Sequence, residues 1–293
     1  SLDVNMMSAP TIPAFSDSDA GSYLDLLKLA GHIFSRPDLV YAGTSGKEGT
    51  APKVSKVSFT KSGYFIQRSG WGDNETSFAN EKFLMFDCGL LGDGGHGHYD
   101  LLTVEIAACG KPLIIDSGRY TYAEDPDFNW RHFFKASAAH NTVVVDGKNQ
   151  TTYHRGKPKG DVARAIFIER VSTPDLDVLC GKALSPNYEA VHTRRIFFIR
   201  NKFWLIADEL AGEVSHRYDL RFHLTPSAWN RCSIIETQAN TIVRTPDVAL
   251  LFEQCGALSI EPSWFAPKYG IKHRAPYISL KAQAESTSFH TLV

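Results

Sequence analysis

The chain has 293 residues, of which 43% are hydrophobic and 22% charged, as in an ordinary globular protein. A chain of this length can bury a core large enough to fold without disulfides or structural metal ions. Its 31 lysine and arginine residues against 32 aspartate and glutamate residues give a formal net charge of -1, which argues against a general nucleic-acid binder. The longest apolar runs, such as residues 203–207, fall far short of the roughly 18 residues that a membrane-spanning helix needs. We therefore expect neither nucleic acid nor membrane among its partners.

The N-terminal part differs from the rest of the sequence. Residues 22–30 place apolar side chains at helical spacing before Gly31, which predicts one amphipathic helix. Residues 42–52, AGTSGKEGTAP, have the composition of a linker. Because one helix cannot form a domain, residues 1–53 are interpreted as a helical remnant with a linker, and residues 54–293 as a separate domain. The first residue is Ser and not Met, so the sequence is interpreted as a processed chain or an excised piece.

From residue 54 onward the sequence has a pattern typical of β-strands. Short runs rich in Val, Ile, Phe and Tyr recur, with turn residues such as 61–63 and 146–148 between them. No long helical pattern alternates with these runs, so we predict a mainly β fold of stacked antiparallel sheets, with only a short helical segment at the N-terminus. The runs lie at residues 64–66, 83–86, 113–115, 142–145, 165–168, 196–199, 203–206, 241–243 and 248–252.

The cysteines do not suggest a thiolate metal site, because none of them forms a CxxC pair. An odd number spread over apolar segments indicates mostly buried free thiols, with one disulfide left open. The cysteines are Cys88, Cys109, Cys180, Cys232 and Cys255.

The densest polar signal is the segment GDGGHGHYD at residues 92–100. Glycine allows positive φ and close approach of the backbone to a ligand. On an extended segment, side chains two positions apart point to the same face, so His96 and His98 would share a face. Two interpretations stay open at this point, a shared metal or polar pocket and a histidine-rich surface loop.

Two later segments add polar residues at strand ends, which are rigid platforms for functional side chains. Asp116 follows the apolar run 113–115, and His140 with Asn141 precedes another. Zinc accepts nitrogen and oxygen ligands, so His98, Asp116 and His140 are candidate zinc ligands. The alternative is separate roles, with Asp116 in a turn and each histidine hydrogen-bonded in the core, and the spacing leaves this open.

Three motifs in one order connect the sequence to a known family. With GHGHYD, LIIDSGRYTY and AAHNTVVVDGKNQ, residues 20–293 resemble the C-terminal domain of heparinase II/III-like polysaccharide lyases. The resemblance implies an antiparallel multi-sheet β-supersandwich packed against a helical toroid, of which this chain would hold only the last helix, residues 20–35. It implies a lyase that acts on an acidic, uronic-acid-containing polysaccharide by β-elimination. It also implies an exported, periplasmic location and leaves a homodimer open.

The resemblance also assigns roles to individual residues. It implies that His98, Asp116 and His140 hold zinc, that His96 serves catalysis at the substrate cleft, and that Asn141 supports the zinc histidine beside it. We expect the zinc to be structural, because three ligands on separate strand ends tie loops together. The family's tyrosine and histidine acid/base residues lie in the toroid and are not assigned here, so this chain alone is not expected to hold the complete catalytic machinery.

The segment 119–134 combines aromatic and cationic residues, which suits stacking on sugars and pairing with carboxylates. Arg131 and Tyr122 are the candidate substrate contacts, and the alternative is that the aromatic side chains simply cover a sheet. His192 and Arg194 are interpreted as core or surface partners.

Two other functions compete with the lyase hypothesis. The first is a noncatalytic carbohydrate-binding or structural β-domain that keeps the metal site. The second is a zinc hydrolase with a metal-activated water. The absence of an HExxH motif disfavours the hydrolase.

Overall fold

The computed structural model describes residues 13–72, 76–253 and 256–293. β-Strands dominate these residues, and every pairing between the named strands is antiparallel, which confirms the predicted mainly β fold class. Each of the nine predicted apolar runs overlaps a strand. The strands are β1 (Lys56–Phe59), β2 (Tyr64–Arg68), β3 (Phe83–Asp87), β4 (Val104–Ala108), β5 (Lys111–Ile114), β6 (Val143–Val145), β7 (Tyr153–His154), β8 (Lys157–Pro158), β9 (Arg164–Ser172), β10 (Leu176–Leu184), β11 (Val191–Ile199), β12 (Phe203–His223), β13 (Ser233–Glu236), β14 (Asn240–Arg244), β15 (Ala249–Glu253), β16 (Ala257–Lys268) and β17 (Ile271–Leu292).

The described strands form two large sheets and one small hairpin. Strands β1 to β5 make a five-stranded sheet in sequential order. The second sheet has ten strands and follows the order β13-β14-β15-β17-β12-β11-β10-β9, with β16 paired to β17 and β6 paired to β12. Strands β7 and β8 pair with each other. This arrangement is the sandwich architecture that the sequence predicts.

Strands β12 and β17 form the centre of the larger sheet. They are 21 and 22 residues long, and their pairing runs from Leu205 opposite Leu292 to His223 opposite Tyr277. The register shifts once, between Ala211 and His216. Strands this long connect the far end of the sheet with the end that carries the polar cluster described below.

The core lies between the two sheets. The ring of Phe65 on β2 stacks on Phe167 of β9 with centroids 3.9 Å apart. Trp204 of β12 stacks on Phe198 at 4.6 Å and donates its indole N–H to Gln67 Oε1 of β2 at 3.1 Å. Burying one such aromatic side chain stabilises a fold by about 1.5–3 kcal/mol. The indole donor is satisfied across the sandwich, so the polar atom adds no desolvation cost.

The described residues include three α-helices: α1 (Leu24–Ile33) and α2 (Pro37–Gly43) precede β1, and α3 (Trp130–Lys135) lies between β5 and β6. Helix α1 confirms the predicted N-terminal helix, whereas α2 was not predicted and reaches into the predicted linker 42–52. Its first residue is Pro37, a position where the missing N–H costs no helical hydrogen bond. None of the helices among the described residues has the length and apolarity that crossing a bilayer requires.

The four described cysteines are free thiols. Cys88 and Cys180 are buried, Cys232 is half-buried and Cys109 is exposed. Cys255, which was expected to resemble them, lies outside the described residues. The domain boundary at residues 53 and 54 stays a prediction.

A buried ion pair connects the larger sheet to two loops. Arg194 on β11 is fully buried and donates from Nε and Nη2 to the two carboxylate oxygens of Asp208 on β12, at 2.6 and 3.1 Å. Its Nη1 donates to the carbonyls of Leu102 and Asn141, both at 2.6 Å. His192 Nε2 lies 2.6 Å from Asp208 Oδ1. Burial alone would raise the pKa of Asp208, but Arg194 and His192 outweigh it and lower this pKa to about 2.

We predict that Asp208→Asn destabilises the fold by about 3–5 kcal/mol, because it leaves the buried Arg194 charge without its partner. Chemical denaturation measures the loss. Glu209→Gln is the matched control: Glu209 pairs with Arg195 one position along the same two strands, at 2.5 Å, but its side chain is 55% exposed. Exposed pairs of this kind contribute about 0–1 kcal/mol. Equal losses in the two variants would contradict a special role for the buried pair.

The Arg194–Asp208 pair should also make the stability of the fold depend on pH. The folded pKa of Asp208 lies below its ordinary value of 3.8, so its contribution is complete above that value and disappears as the pH falls toward about 2. The parent chain should therefore lose more stability than Asp208→Asn between pH 4 and pH 2. Parallel acid titrations of unfolding measure this difference.

Candidate metal centre and neighbouring surface residues

Three polar side chains from separate segments meet at one end of the sandwich. His98 lies in the loop between β3 and β4, Asp116 follows β5, and His140 precedes β6. All three are buried, and one candidate ligand atom from each lies within 4.8 Å of the others. The structure therefore brings together the three residues that the sequence analysis selected, although their service as metal ligands stays a prediction.

The polar atoms of this cluster fit a cation. Asp116 accepts from the Gly118 N–H at 2.8 Å through Oδ1 and from His140 Nδ1 at 2.7 Å through Oδ2. His98 Nδ1 and His140 Nε2 are buried and have no hydrogen-bond partner in the described structure. A buried polar atom left without a partner costs about 1–3 kcal/mol. Two imidazole nitrogens beside a carboxylate form a donor set that zinc accepts.

The acidic and basic groups of the cluster shift each other's pKa values. Burial alone would raise the pKa of Asp116, but His140 and His98 outweigh it, so this pKa is lowered. Burial alone would lower the pKa of His140, but the adjacent Asp116 carboxylate outweighs it and raises this pKa. The pair therefore favours the ionised form of the Asp116 carboxylate, which is the form that binds a cation. A metal ion bound to a ring nitrogen of His140 would take the place of a proton.

Gly118 fixes the turn that carries Asp116. Its φ is +75°, a region that favours glycine, and a Cβ there would lie 2.3 Å from the carbonyl oxygen of Ala266. The Ala266 N–H donates to Ser117 O at 2.8 Å. A close backbone contact with β16 therefore holds the segment, and glycine is the residue that permits it.

His96 lies outside the buried cluster, at the protein surface. Its side chain is 77% exposed, and its Nδ1 lies 2.8 Å from Asp17 Oδ2. The His96 ring meets the Tyr122 ring edge-on at 5.9 Å, and the Tyr122 hydroxyl lies 3.5 Å from His96 Nδ1. The structure thus places His96 and Tyr122 side by side. The role of either residue in binding or catalysis stays a prediction.

Two arginines hold Tyr122 in place. Arg119 donates to the Tyr122 hydroxyl at 2.6 Å, and Arg131 donates to its carbonyl at 3.2 Å. The Arg131 guanidinium packs beneath Gly156, where a Cβ would approach its Cζ to 2.1 Å. Arg131 is therefore half-buried behind Tyr122 under the β7–β8 hairpin, and its substrate contact stays a prediction. Arg119 was not selected from the sequence, although it lies at the edge of the aromatic segment.

Asn141 supports the cluster through the main chain. Its Nδ2 donates to the carbonyls of Val104 and Ile115 at 2.8 and 2.9 Å, and its Oδ1 accepts from the His223 N–H at 2.6 Å. These bonds connect β4, the end of β5 and the end of β12. Asn141 therefore fixes the backbone on both sides of the cluster, next to Asp116 and to His140.

Lys135 at the end of α3 organises the glycine-rich loop. Its Nζ donates to the carbonyls of Gly94, Gly95 and Gly97 at 3.0, 3.2 and 2.5 Å. The residue is buried, and this burial lowers the pKa of its amine. Neither Lys135 nor Asp17 was found from the sequence. Asp17 lies in an irregular polar segment, 79 residues from His96.

The chain is similar to known proteins in sequence and in fold. The profile of the family described as Heparinase II/III-like, C-terminal matches residues 51–289. The chain belongs to this family. The match confirms the family that the three motifs indicated.

Individual relatives agree with this assignment. The chain is 27% identical to a heparin-sulfate lyase of Bacteroides stercoris over 223 residues, and 26% identical to one of Bacteroides thetaiotaomicron over 224 residues. In both cases the match covers 73% of this chain and 30% of the relative. The chain therefore spans about a third of the length of these relatives.

Solved structures share the fold. Heparan sulfate lyase HepC from Pedobacter heparinus superposes with a TM-score of 0.81 at 19% identity, over 98% of this chain and 44% of that one. A heparinase III superposes with a TM-score of 0.79 at 22% identity, over 98% of this chain and 44% of that one. These superpositions confirm the β-sandwich architecture of the C-terminal domain.

We predict that Lys135→Met loosens the glycine-rich loop, because three carbonyls lose one shared donor. Amide hydrogen exchange of residues 92–98 should accelerate, and the free energy of unfolding should fall by about 1–3 kcal/mol. Lys148→Met is the control, since Lys148 is exposed and donates to the single carbonyl of Asn187. Unchanged exchange in the loop of Lys135→Met would show that the loop is held by other contacts.

Proposed function

We propose that this chain is the C-terminal portion of a polysaccharide lyase that cleaves a uronic-acid-containing polysaccharide by β-elimination. The observation that carries the proposal is the position of His96, exposed beside Tyr122 and two residues before His98 of the buried His-Asp-His cluster. The relatives named heparin-sulfate lyases support an acidic polysaccharide as substrate. An exported, periplasmic location goes with this proposal, because polymeric substrates are met outside the cytoplasm.

The proposed cofactor is zinc, held by His98, Asp116 and His140. The fit of the donor set and the two unpartnered ring nitrogens support this choice. Bound there, zinc would supply a structural cross-link between the loop before β4, the end of β5 and the start of β6. The cross-link would fix the backbone that carries His96, two residues before His98.

The residues around His96 suit the charge changes of β-elimination. Removal of the C5 proton of a uronate builds negative charge on its carboxylate, and preorganised donors stabilise that charge. His96 is exposed, and its ring, when it carries a proton on both nitrogens, can donate from Nε2 to the carboxylate while Nδ1 donates to Asp17. Arg119 polarises the Tyr122 hydroxyl through a 2.6 Å hydrogen bond. The base that removes the C5 proton and the acid that protonates the leaving oxygen are not assigned to residues of this chain.

Metal analysis tests the zinc proposal. The purified chain, dialysed after zinc loading, should contain about one zinc ion per chain. His98→Ala, Asp116→Ala and His140→Ala should each lose it, because each removes one donor. His154→Ala, which removes an exposed histidine of the β7–β8 hairpin, should keep it. A zinc-free parent chain that remains folded would refute the metal site.

Product spectra test the lyase proposal. Full-length protein should release unsaturated uronate products, which absorb in the ultraviolet, from at least one polymer in a panel of acidic polysaccharides. His96→Ala should lower kcat by about 10²–10³-fold, the usual effect of removing one preorganised donor to a developing negative charge. His154→Ala again serves as the control. Polysaccharide binding without any unsaturated product would favour the noncatalytic β-domain instead, and saturated products would favour a hydrolase.

A further inference from the structure

The carboxylate of Asp17 lies between the two histidines of the His-x-His motif. Its Oδ2 lies 2.8 Å from His96 Nδ1, and its Oδ1 lies 3.1 Å from His98 Nε2. One side chain from outside the strands therefore contacts both the exposed histidine at the surface and the buried histidine of the candidate metal centre. The Asp17 side chain itself is only 11% exposed.

The segment around Asp17 is attached to the sandwich on both sides. The Ala14 N–H donates to Glu105 Oε1 on β4 at 2.7 Å, and the Ala20 N–H donates to the Pro267 carbonyl on β16 at 2.7 Å. Between them, the buried Phe15 ring packs 6.1 Å from the ring of Tyr64. These contacts fix the backbone, so the carboxylate is held at the histidines by the fold.

The contact with His98 decides which ring nitrogen is available. An ionised carboxylate only accepts hydrogen bonds, so His98 Nε2 carries the proton that it donates to Asp17. The lone pair then lies on His98 Nδ1, the buried nitrogen without a partner. A carboxylate on the far nitrogen of a metal-binding histidine fixes the tautomer and the ring orientation and increases the basicity of the ligand.

The contact with His96 involves the other ring nitrogen, Nδ1. His96 Nδ1 donates to the second oxygen of Asp17, which leaves His96 Nε2 on the part of the ring that faces away from the carboxylate. The ring is largely exposed and lies beside Tyr122, so Nε2 stays free of the Asp17 contact. One carboxylate thereby sets the proton positions of two histidines with different tasks.

We propose that Asp17 is a positioning residue, which holds His98 with Nδ1 available to the metal and His96 with Nε2 available to the substrate. This inference rests on the proposed zinc-dependent lyase function. It adds a connection between the metal centre and the exposed His96 through a segment that precedes α1. It also assigns a role to a residue that is distant from the three family motifs.

Proton positions test the proposal without metal or substrate. In the metal-free parent chain, nitrogen-15 NMR of the histidine rings should show the proton on Nδ1 of His96 and on Nε2 of His98. An amide at position 17 offers one acceptor oxygen and one donor nitrogen, so it cannot accept from both rings. Asp17→Asn should therefore move the proton to the other nitrogen in one of the two histidines.

Metal affinity gives a second measurement. Competition with a chromophoric chelator should show zinc binding about 10–100-fold weaker in Asp17→Ala than in the parent. Cobalt(II) substituted for zinc should show an altered visible spectrum in the same variant. Asp19→Asn is the matched control for metal affinity, because Asp19 lies two residues away and pairs instead with Arg119 at 2.7 Å. If Asp17→Ala does not fold, Asp17→Asn, which keeps the shape of the side chain, serves for both measurements.

The outcomes separate this inference from the function on which it rests. Unchanged proton positions in Asp17→Asn, together with unchanged zinc affinity in the Asp17 variants, would overturn the positioning role and leave the lyase proposal intact. A parent chain that binds no zinc would refute the metal site. In that case the proton positions still decide whether Asp17 orients the two histidines.

Discussion

The buried guanidinium of Arg194 connects the larger sheet of this domain to the two loops that carry His98 and His140. Arg194 is paired with Asp208 on the neighbouring strand and donates its remaining nitrogen to the carbonyls of Leu102 and Asn141. Those two carbonyls lie in the segments that carry His98 and His140. Since a buried charge is tolerated only when it is fully paired and hydrogen-bonded, the position of each loop becomes a condition for the stability of the core. The site geometry is thus a consequence of how the core satisfies one charge.

Carboxylates recur at this end of the sandwich because they can each accept from two donors. Asp116 accepts from a backbone N–H and from His140, and Asp208 accepts from Arg194 and lies against His192. Asp17 contacts two histidines in the same way. A buried histidine has two ring nitrogens that need partners. A bridging carboxylate accepts the proton of one nitrogen in a hydrogen bond, and the lone pair then lies on the other nitrogen. This division explains how one end of the fold holds a buried, fixed cluster beside an exposed, oriented ring.

Local pattern predicted much of the fold, because strand formation depends on nearby apolar and turn residues. The run 203–206, for example, lies inside β12. His98, Asp116 and His140 were found because short motifs surround each of them. Arg194 could be placed only among core or surface partners, since its carbonyl acceptor on Leu102 is 92 residues away in sequence. Asp17 had no local signal at all, because its role depends on the path of an irregular segment across the folded surface. Contacts of this range are set by tertiary packing, which no short sequence pattern encodes.

The central position of β17 has a consequence for the order of folding. This strand lies between β12 and β15 in the larger sheet and also pairs with β16, yet it comes after all of them in the sequence. During synthesis, β12 would have an open edge toward the missing strand until residues 271–292 leave the ribosome. Pairings between residues so distant along the chain are slow to form, and an open edge can pair with the wrong partner in the meantime. The nascent chain therefore passes through a stage in which one edge of the long strand β12 is unprotected, and protection of that edge during translation becomes a condition for a good yield of folded protein.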